Sequence, residues 1–170
     1  PKQKLKKLPP TNHYEASDYS DAQIRILVLP SNYVSSPWTY FNNWYNSIIA
    51  KQEVLTDKSI AAFDAEIIKK LSTFDSIPIA IFNYVKNKIA YIDIENGIGA
   101  FQPRNPNDII AKKQGDCKDM ANLIYQLLKH YQQDAYLAVS ATLDHTYNLD
   151  FPSLASANHV ICVLKEKDQY

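Results

Sequence analysis

Two side chains in this sequence are suited to nucleophilic chemistry: the thiol of Cys117 and the imidazole of His159. Cys117 lies in the segment Gly-Asp-Cys-Lys-Asp-Met-Ala, and His159 lies in the segment Asn-His-Val-Ile-Cys near the other end of the chain. A thiolate that can reach an imidazole is the minimal site for acyl transfer, because the sulfur attacks a carbonyl carbon while the ring moves the proton. The pair predicts a cysteine-dependent acyl-transfer site.

The acids that flank the cysteine predict a helix cap. If Asp116 is the N-cap residue, Asp119 is at position N3, and the pattern is a near relative of the capping box. The Cys117 amide is then left free to donate to an oxyanion, and the positive end of a helix favours a thiolate. We therefore expect Asp116 and Asp119 to support the nucleophile structurally, with Lys118 partly offsetting their charge.

The elements that must position these two side chains are a helix and a strand. Apolar positions from Cys117 onward recur at helical spacing and place the cysteine on a core-facing stripe; they are Cys117, Met120, Ala121, Ile124, Leu127, Leu128 and Tyr131. Residues 158–164 alternate as a strand in which His159 and Cys162 point to opposite faces. Cys162 is therefore expected to be a packed residue and not a second reactive thiol.

The remaining pattern predicts an α+β fold with a helical front half. Helix starts are predicted at Ser36-Pro37, Thr56-Asp57 and near Asp75. Strands are predicted at 23–29 and 135–140, and a long polar loop is predicted at 141–157. Because helices come first and the paired strands last, the sheet is expected to be antiparallel. Residues 1–22 are interpreted as a linker or arm, and 23–170 as one core domain.

The composition excludes several classes of function. The 18 Lys and Arg residues balance 18 Asp and Glu residues, which gives no basic field for nucleic acid or for an acidic membrane surface. Two cysteines without a C-x-x-C pair indicate neither a disulfide framework nor structural zinc. No apolar run approaches about 18 residues, so no membrane insertion is expected. No cofactor is predicted, and a metal site from Cys117, Asp119 and His159 would lack a fourth ligand.

Other interpretations stay open at this point. A cysteine on an apolar helix stripe is often only a buried residue, and His159 could be a satisfied core or interface histidine. His145, in the long loop, is the rival base, while His130 fits a favourable position at a helix C-terminus. The main functional alternative is a non-catalytic peptide- or glycan-binding module that uses the same cleft.

The chain resembles the bacterial branch of the transglutaminase-like superfamily, which has a papain-like cysteine-protease core. The resemblance rests on the segments at 115–121, 135–138 and 158–161, and is supported by Tyr-Val-Lys-Asn-Lys-Ile at 84–89 and by Gly-Ile-Gly-Ala-Phe-Gln-Pro at 97–103. It implies a central nucleophile helix packed on an antiparallel sheet that is truncated at its C-terminal edge.

The resemblance also implies roles for individual residues. Cys117 is similar to the family's nucleophile, and His159 to its general base, which later acts as acid. The family's third catalytic member, an Asp on the next strand, would fall a few positions beyond Tyr170, so this piece is expected to be poorly active unless Asp144, Asp150 or Asp168 substitutes. Gln102 is the candidate for a side-chain oxyanion donor.

The resemblance further implies a substrate and a setting. The expected partner is a peptide or protein amide, and hydrolysis of the protease or amidase type is favoured over crosslinking to an amine. The parent protein would carry flanking domains and would be bacterial, in the periplasm or secreted.

Overall fold

The structure is a computed structural model of the 170-residue chain. It describes residues 26–33, 35–52, 54–71, 77–93, 97–142, 152–153 and 157–166. The chain divides into two compact units, Pro1–Tyr33 and Val34–Tyr170. In the described part of the first unit the backbone is irregular and closes one turn, in which the Tyr33 amide donates to the Pro30 carbonyl at 3.0 Å.

The described residues of the second unit form a mixed α+β structure. In chain order the helices are α1 (Pro37–Ile49), α2 (Asp57–Glu66), α3 (Ile77–Lys88), α4 (Pro106–Lys112) and α5 (Cys117–His130). The strands are β1 (Ala90–Tyr91), β2 (Gln114–Gly115), β3 (Ala135–Ser140) and β4 (His159–Leu164). Short 3-10 turns lie at Ile68–Lys70 and Gly97–Ala100. The α+β prediction is confirmed at this level.

Hydroxyl and amide side chains start three of the described helices, and the starts of α1 and α2 are those that the sequence predicts. Ser36 and Thr56 cap α1 and α2 by accepting from the backbone amides of Thr39 and Ser59. Asn105 caps α4, and proline follows it as the first helical residue. Such caps satisfy amides that have no partner inside the helix, and proline costs nothing there because it has no N–H to lose.

Two small sheets are described, and only one was expected. Strands β3 and β4 pair antiparallel, from Ala135 opposite Leu164 to Ser140 opposite His159. Strands β1 and β2 pair in parallel over two residues each, with Tyr91 opposite Gly115. The parallel pair was not predicted. Each of its strands has only two residues, which is too short to show an alternating pattern, and the strands meet only when the chain folds.

Helix α5 lies at the centre of the unit and packs against α3, α4, β3 and β4. Its side chains Leu123 and Leu127 are fully buried, and they share a core with Phe63 of α2 and Ile81 of α3. Burial of large apolar side chains of this kind stabilises a fold by about 1.5–3 kcal/mol each. The position of the first turn of α5 is therefore set by the main core of the protein.

One predicted element is not formed, and several predictions fall outside the described residues. Residues 26–29 do not form the strand expected at 23–29, and Ile26 and Val28 are about four-fifths exposed, so they lack the sheet partner that the alternation implied. The predicted arm at 1–22, most of the loop at 141–157, and the final residues 167–170 lie outside the described part. The same holds for His145 and for Asp144, Asp150 and Asp168.

Candidate active site

Cys117 is the first residue of α5 and is half-buried. The chain enters the helix directly from β2, whose pairing with β1 fixes the approach. The Ala90 amide donates to the Lys113 carbonyl at 2.8 Å, and the Ile92 amide donates to the Gly115 carbonyl at 3.0 Å. Two backbone hydrogen bonds just before the helix therefore hold the thiol in place.

The capping box expected from the sequence is present at the start of α5. The Asp119 amide donates to the Asp116 carboxylate at 3.2 Å, and the Asp116 amide donates to the Asp119 carboxylate at 3.1 Å. Both carboxylates are about 99 % buried. Because carboxylates this deep require full pairing, the cap must include cations as well as amides.

Each acid beside the cysteine has its own cation. The buried Lys118 ammonium donates to the Asp116 carboxylate. Arg104 approaches Asp119 from the preceding loop and donates through its backbone amide (2.7 Å), its Nε (2.8 Å) and its Nη2 (2.7 Å). Both guanidinium nitrogens donate to Oδ2 of Asp119 and the backbone amide donates to Oδ1, so both carboxylate oxygens are paired, and lysine has no second side-chain nitrogen to reproduce this contact. The first turn of the helix is thus balanced in charge.

Sequence reasoning missed Arg104, although one signal was available. The chain contains only two arginines, Arg25 and Arg104, among 18 basic residues. An arginine in a lysine-rich chain indicates a contact that needs the several N–H donors of a guanidinium group. Its partner could not be deduced, because the two residues meet through a loop and not through a regular spacing.

Gly115 is needed for close approach to the cap. A Cβ atom at this position would lie 2.9 Å from the Cβ of Asp119 and 3.4 Å from a methyl group of Ile109. Real side chains do not approach this closely, and Asp119 cannot yield without breaking its bonds to Arg104. The glycine of the Gly-Asp-Cys motif therefore has a packing role.

Cys117 and His159 line the same cleft. The cleft has a volume of about 680 Å³ and is walled mainly by apolar side chains of α3, α5 and β4, together with Tyr91. His159 is the first residue of β4, opposite Ser140, and is partly exposed. The structure thus brings both predicted residues to one concave site, although no hydrogen bond joins the Cys117 sulfur to the ring among the described residues.

The stripe of α5 that carries Cys117 lies partly in the cleft and partly in the core. Cys117, Met120 and Ile124 are partly exposed and line the cleft, whereas Leu127 and Leu128 of the same stripe are buried in the core. The prediction of a core-facing stripe therefore holds for its later turns and is corrected for Cys117, which faces the cleft. A central helix is covered on several sides, so one apolar stripe can contact both a core and a cleft.

Two tyrosine hydroxyls lie near Cys117, and neither was predicted to be part of the site. Burial raises the pKa of Tyr45, on α1, to about 12, and the negative charge of Cys117 adds to the rise; its hydroxyl is buried without a hydrogen-bond partner. The pKa of Tyr91 is also raised, first by partial removal of the phenol from water and then by the charge of Cys117. The Cys117 backbone N–H lies close enough to the Tyr91 hydroxyl to oppose that rise in its pKa.

The other predicted residues fall into distinct places. Cys162 is partly buried: it packs against the core, as expected, but it also lines the cleft, and burial raises the pKa of its thiol to about 11. Gln102 follows the 3-10 turn, where its amide donates to the Ile98 carbonyl at 2.9 Å, and it is not among the residues that line the cleft. His130 is exposed at the end of α5 and packs edge-on against Tyr131.

The described residues contain neither a metal-binding cluster nor a membrane-spanning helix. Among those residues no group of three or more His, Cys, Asp or Glu side chains could hold a metal ion. No helix in the described part is long and apolar enough to cross a membrane. Comparison with known proteins returned no match to any protein-family model, curated protein or solved structure.

Proposed function

We propose that this chain is the catalytic core, similar to the transglutaminase-like and papain-like enzymes, of a cysteine-dependent acyl-transfer enzyme that hydrolyses peptide or protein amides. Cys117 is the nucleophile and His159 is the general base, which later acts as acid. The observation that carries the proposal is the placement of the thiol at the capped N-terminus of α5 within a cleft that His159 also lines.

The chemistry proceeds in two stages. The Cys117 thiolate forms a bond to the amide carbon while the carbonyl electron pair moves onto oxygen, and collapse of this intermediate breaks the C–N bond as protonated His159 gives its proton to the leaving amine. Water, deprotonated by His159, then attacks the thioester and releases the acid and the thiol. The helix N-terminus favours negative charge on the sulfur and on the developing oxyanion.

The charge balance of the cap supports this assignment. Unpaired carboxylates next to a thiol would oppose its ionisation, but Asp116 is paired with Lys118 and Asp119 with Arg104. A buried, doubly paired cap is also a rigid support, which a nucleophile needs if it is to be held in its reactive geometry. The acids beside Cys117 therefore cap the helix, and because each is paired with a cation they add little net negative charge beside the thiol.

The walls of the cleft indicate the class of substrate. Ile79 and Phe82 of α3 and Ile161 of β4 line it and are 64 %, 53 % and 41 % exposed. Large apolar side chains left this accessible beside a nucleophile favour a substrate that presents an apolar side chain next to the amide to be cleaved.

Alkylation of single-cysteine variants tests the nucleophile. Cys162→Ser leaves only Cys117, and Cys117→Ser leaves only Cys162. At neutral pH we expect iodoacetamide to modify Cys117 at least about tenfold faster than Cys162, because only the thiolate reacts and partial burial raises the pKa of Cys162 to about 11. His159→Gln in the Cys162→Ser background should slow modification of Cys117.

Two outcomes would contradict the proposal. If Cys117 is modified no faster than a free model thiol, the site does not activate a nucleophile, and a non-catalytic peptide- or glycan-binding role for the cleft becomes the better explanation. If Cys117 is fast but His159→Gln has no effect on its rate, His159 is not the base.

A further inference from the structure

The side chain of Tyr91 reaches the nucleophile from a separate element. Tyr91 lies in β1 directly opposite Gly115, two residues before Cys117, and it lines the same cleft as the thiol and His159. The Cys117 backbone N–H lies close enough to the Tyr91 hydroxyl to lower the pKa of that phenol. The phenol therefore lies in the cleft beside the start of α5.

We propose that Tyr91 is a catalytic residue of the acyl-transfer site and supplies the side-chain donor of its oxyanion hole, beside the Cys117 amide. This inference rests on the proposed function, since it assigns a role within the same reaction. The role of a side-chain donor had been predicted for Gln102, which is not among the residues that line the cleft.

The position of the phenol fits this role. An oxyanion formed on the carbon attacked by the Cys117 sulfur must lie within hydrogen-bond distance of the Cys117 amide, and the Tyr91 hydroxyl lies close to that amide in the same cleft. When a substrate oxygen takes the amide N–H, the phenol O–H is beside it and can donate to the same oxygen. Such donors work best when they are fixed before the reaction in a site with little water.

The ionisation of Tyr91 also fits a donor. Its pKa is raised, first by partial removal from water and then by the negative charge of Cys117, so the phenol keeps its proton. A phenolate would repel the oxyanion, whereas a neutral phenol donates to it. Its ring is 56 % exposed, so the residue is not retained for core packing.

The step is an ordinary addition and elimination. The Cys117 sulfur forms a bond to the acyl carbon, the carbonyl π pair moves to oxygen, and the oxyanion accepts from the Cys117 N–H and the Tyr91 O–H. As the pair returns, the bond to the leaving group breaks; in an amide the amine leaves with a proton from His159, and in p-nitrophenyl acetate p-nitrophenolate leaves without one. The phenol keeps its proton throughout.

Two probes that react with the same sulfur separate this role from a structural one. Acylation by p-nitrophenyl acetate passes through an oxyanion, whereas alkylation by iodoacetamide displaces iodide and forms none. We would measure both second-order rates in the Cys162→Ser background, with and without Tyr91→Phe. Tyr136→Phe is the matched control, because Tyr136 is similarly exposed but does not line the cleft.

We expect Tyr91→Phe to slow acylation about a hundredfold, the usual loss for one oxyanion donor, while alkylation and the thermal midpoint stay as they were. Tyr136→Phe should change neither rate. If acylation falls by less than about threefold, or if both rates fall together, Tyr91 is not an oxyanion donor. If the chain with Tyr91 intact neither acylates nor outpaces Cys162 in alkylation, the acyl-transfer function itself fails, and the role of Tyr91 fails with it.

Discussion

Replacement of Arg104 by methionine should destabilise the protein out of proportion to the exposure of the arginine. The substitution keeps an unbranched side chain of similar reach but removes the cation that pairs with Asp119, whose side chain is 0 % exposed. Removing one partner of a buried ion pair costs about 3–5 kcal/mol, because the remaining charge is left buried and unpaired. The Arg104 side chain is 35 % exposed, so water takes up part of the loss, and we expect about 2–4 kcal/mol.

Equilibrium unfolding in urea measures this loss, and an exposed pair provides the control. Lys112 and Asp108 form an ion pair at 3.0 Å in which both side chains are more than half exposed. Lys112→Met should therefore cost less than about 0.5 kcal/mol. The double variant Arg104→Met, Asp119→Asn should recover part of the loss, since residue 119 then carries no unpaired buried charge, and the Asp116–Lys118 pair is unchanged.

A specific set of values would refute this reasoning. If Arg104→Met costs less than about 1 kcal/mol, or no more than Lys112→Met, the contact with Asp119 does not hold the cap together. If the double variant is as unstable as the sum of the two single variants, the residues act independently and the loss has another cause.

Three further predictions concern residues around the same helix. Gly115→Ala should cost about 1–3 kcal/mol, because its Cβ would meet Asp119 at 2.9 Å, whereas Gly99→Ala, with no atom within 4 Å, should stay within about 0.5 kcal/mol in the same urea assay. Tyr45→Phe should leave stability unchanged or raise it by up to about 1 kcal/mol, because the hydroxyl is buried without a partner; a clear loss in thermal unfolding would contradict this. Cys162 ionises in the unfolded chain above pH 9.0, whereas in the folded chain its pKa is about 11. The free energy of unfolding should therefore fall as the pH rises between these two values, and Cys162→Ala should flatten that part of its pH dependence.

The parts of the site that local spacing determines could be predicted from the sequence. A capping box joins residues three apart, so Asp116 and Asp119 indicate the start of α5 without knowledge of the tertiary structure. The strand that carries His159 follows in the same way from a period of two, although Cys162, predicted to lie on its other face, also lines the cleft. In each case the residues concerned are close in the sequence, so the regular geometry of one helix or one strand places them.

The parts that tertiary closure determines could not be predicted. Arg104 reaches Asp119 from a loop, and Tyr91 reaches Cys117 from a strand two residues long, too short to show alternation. The surroundings of the α5 stripe could not be predicted either, because α3, α4 and both long strands pack around this central helix. Whether a stripe lines a core or a cleft depends on those partners, which periodicity does not reveal.

The pairing of β1 with β2 makes one part of the site separable from the rest. The pairing covers only two residues of each strand among the described residues, with the Ala90 and Ile92 amides 2.8 and 3.0 Å from their acceptors, whereas α5 is anchored in the main core. Breaking these few hydrogen bonds would withdraw Tyr91 while leaving Cys117 and its cap intact. Hydrogen–deuterium exchange at the Ala90 and Ile92 amides should therefore be faster than at the Leu127 amide, and its rate would report how often Tyr91 leaves the cleft while the rest of the unit stays folded.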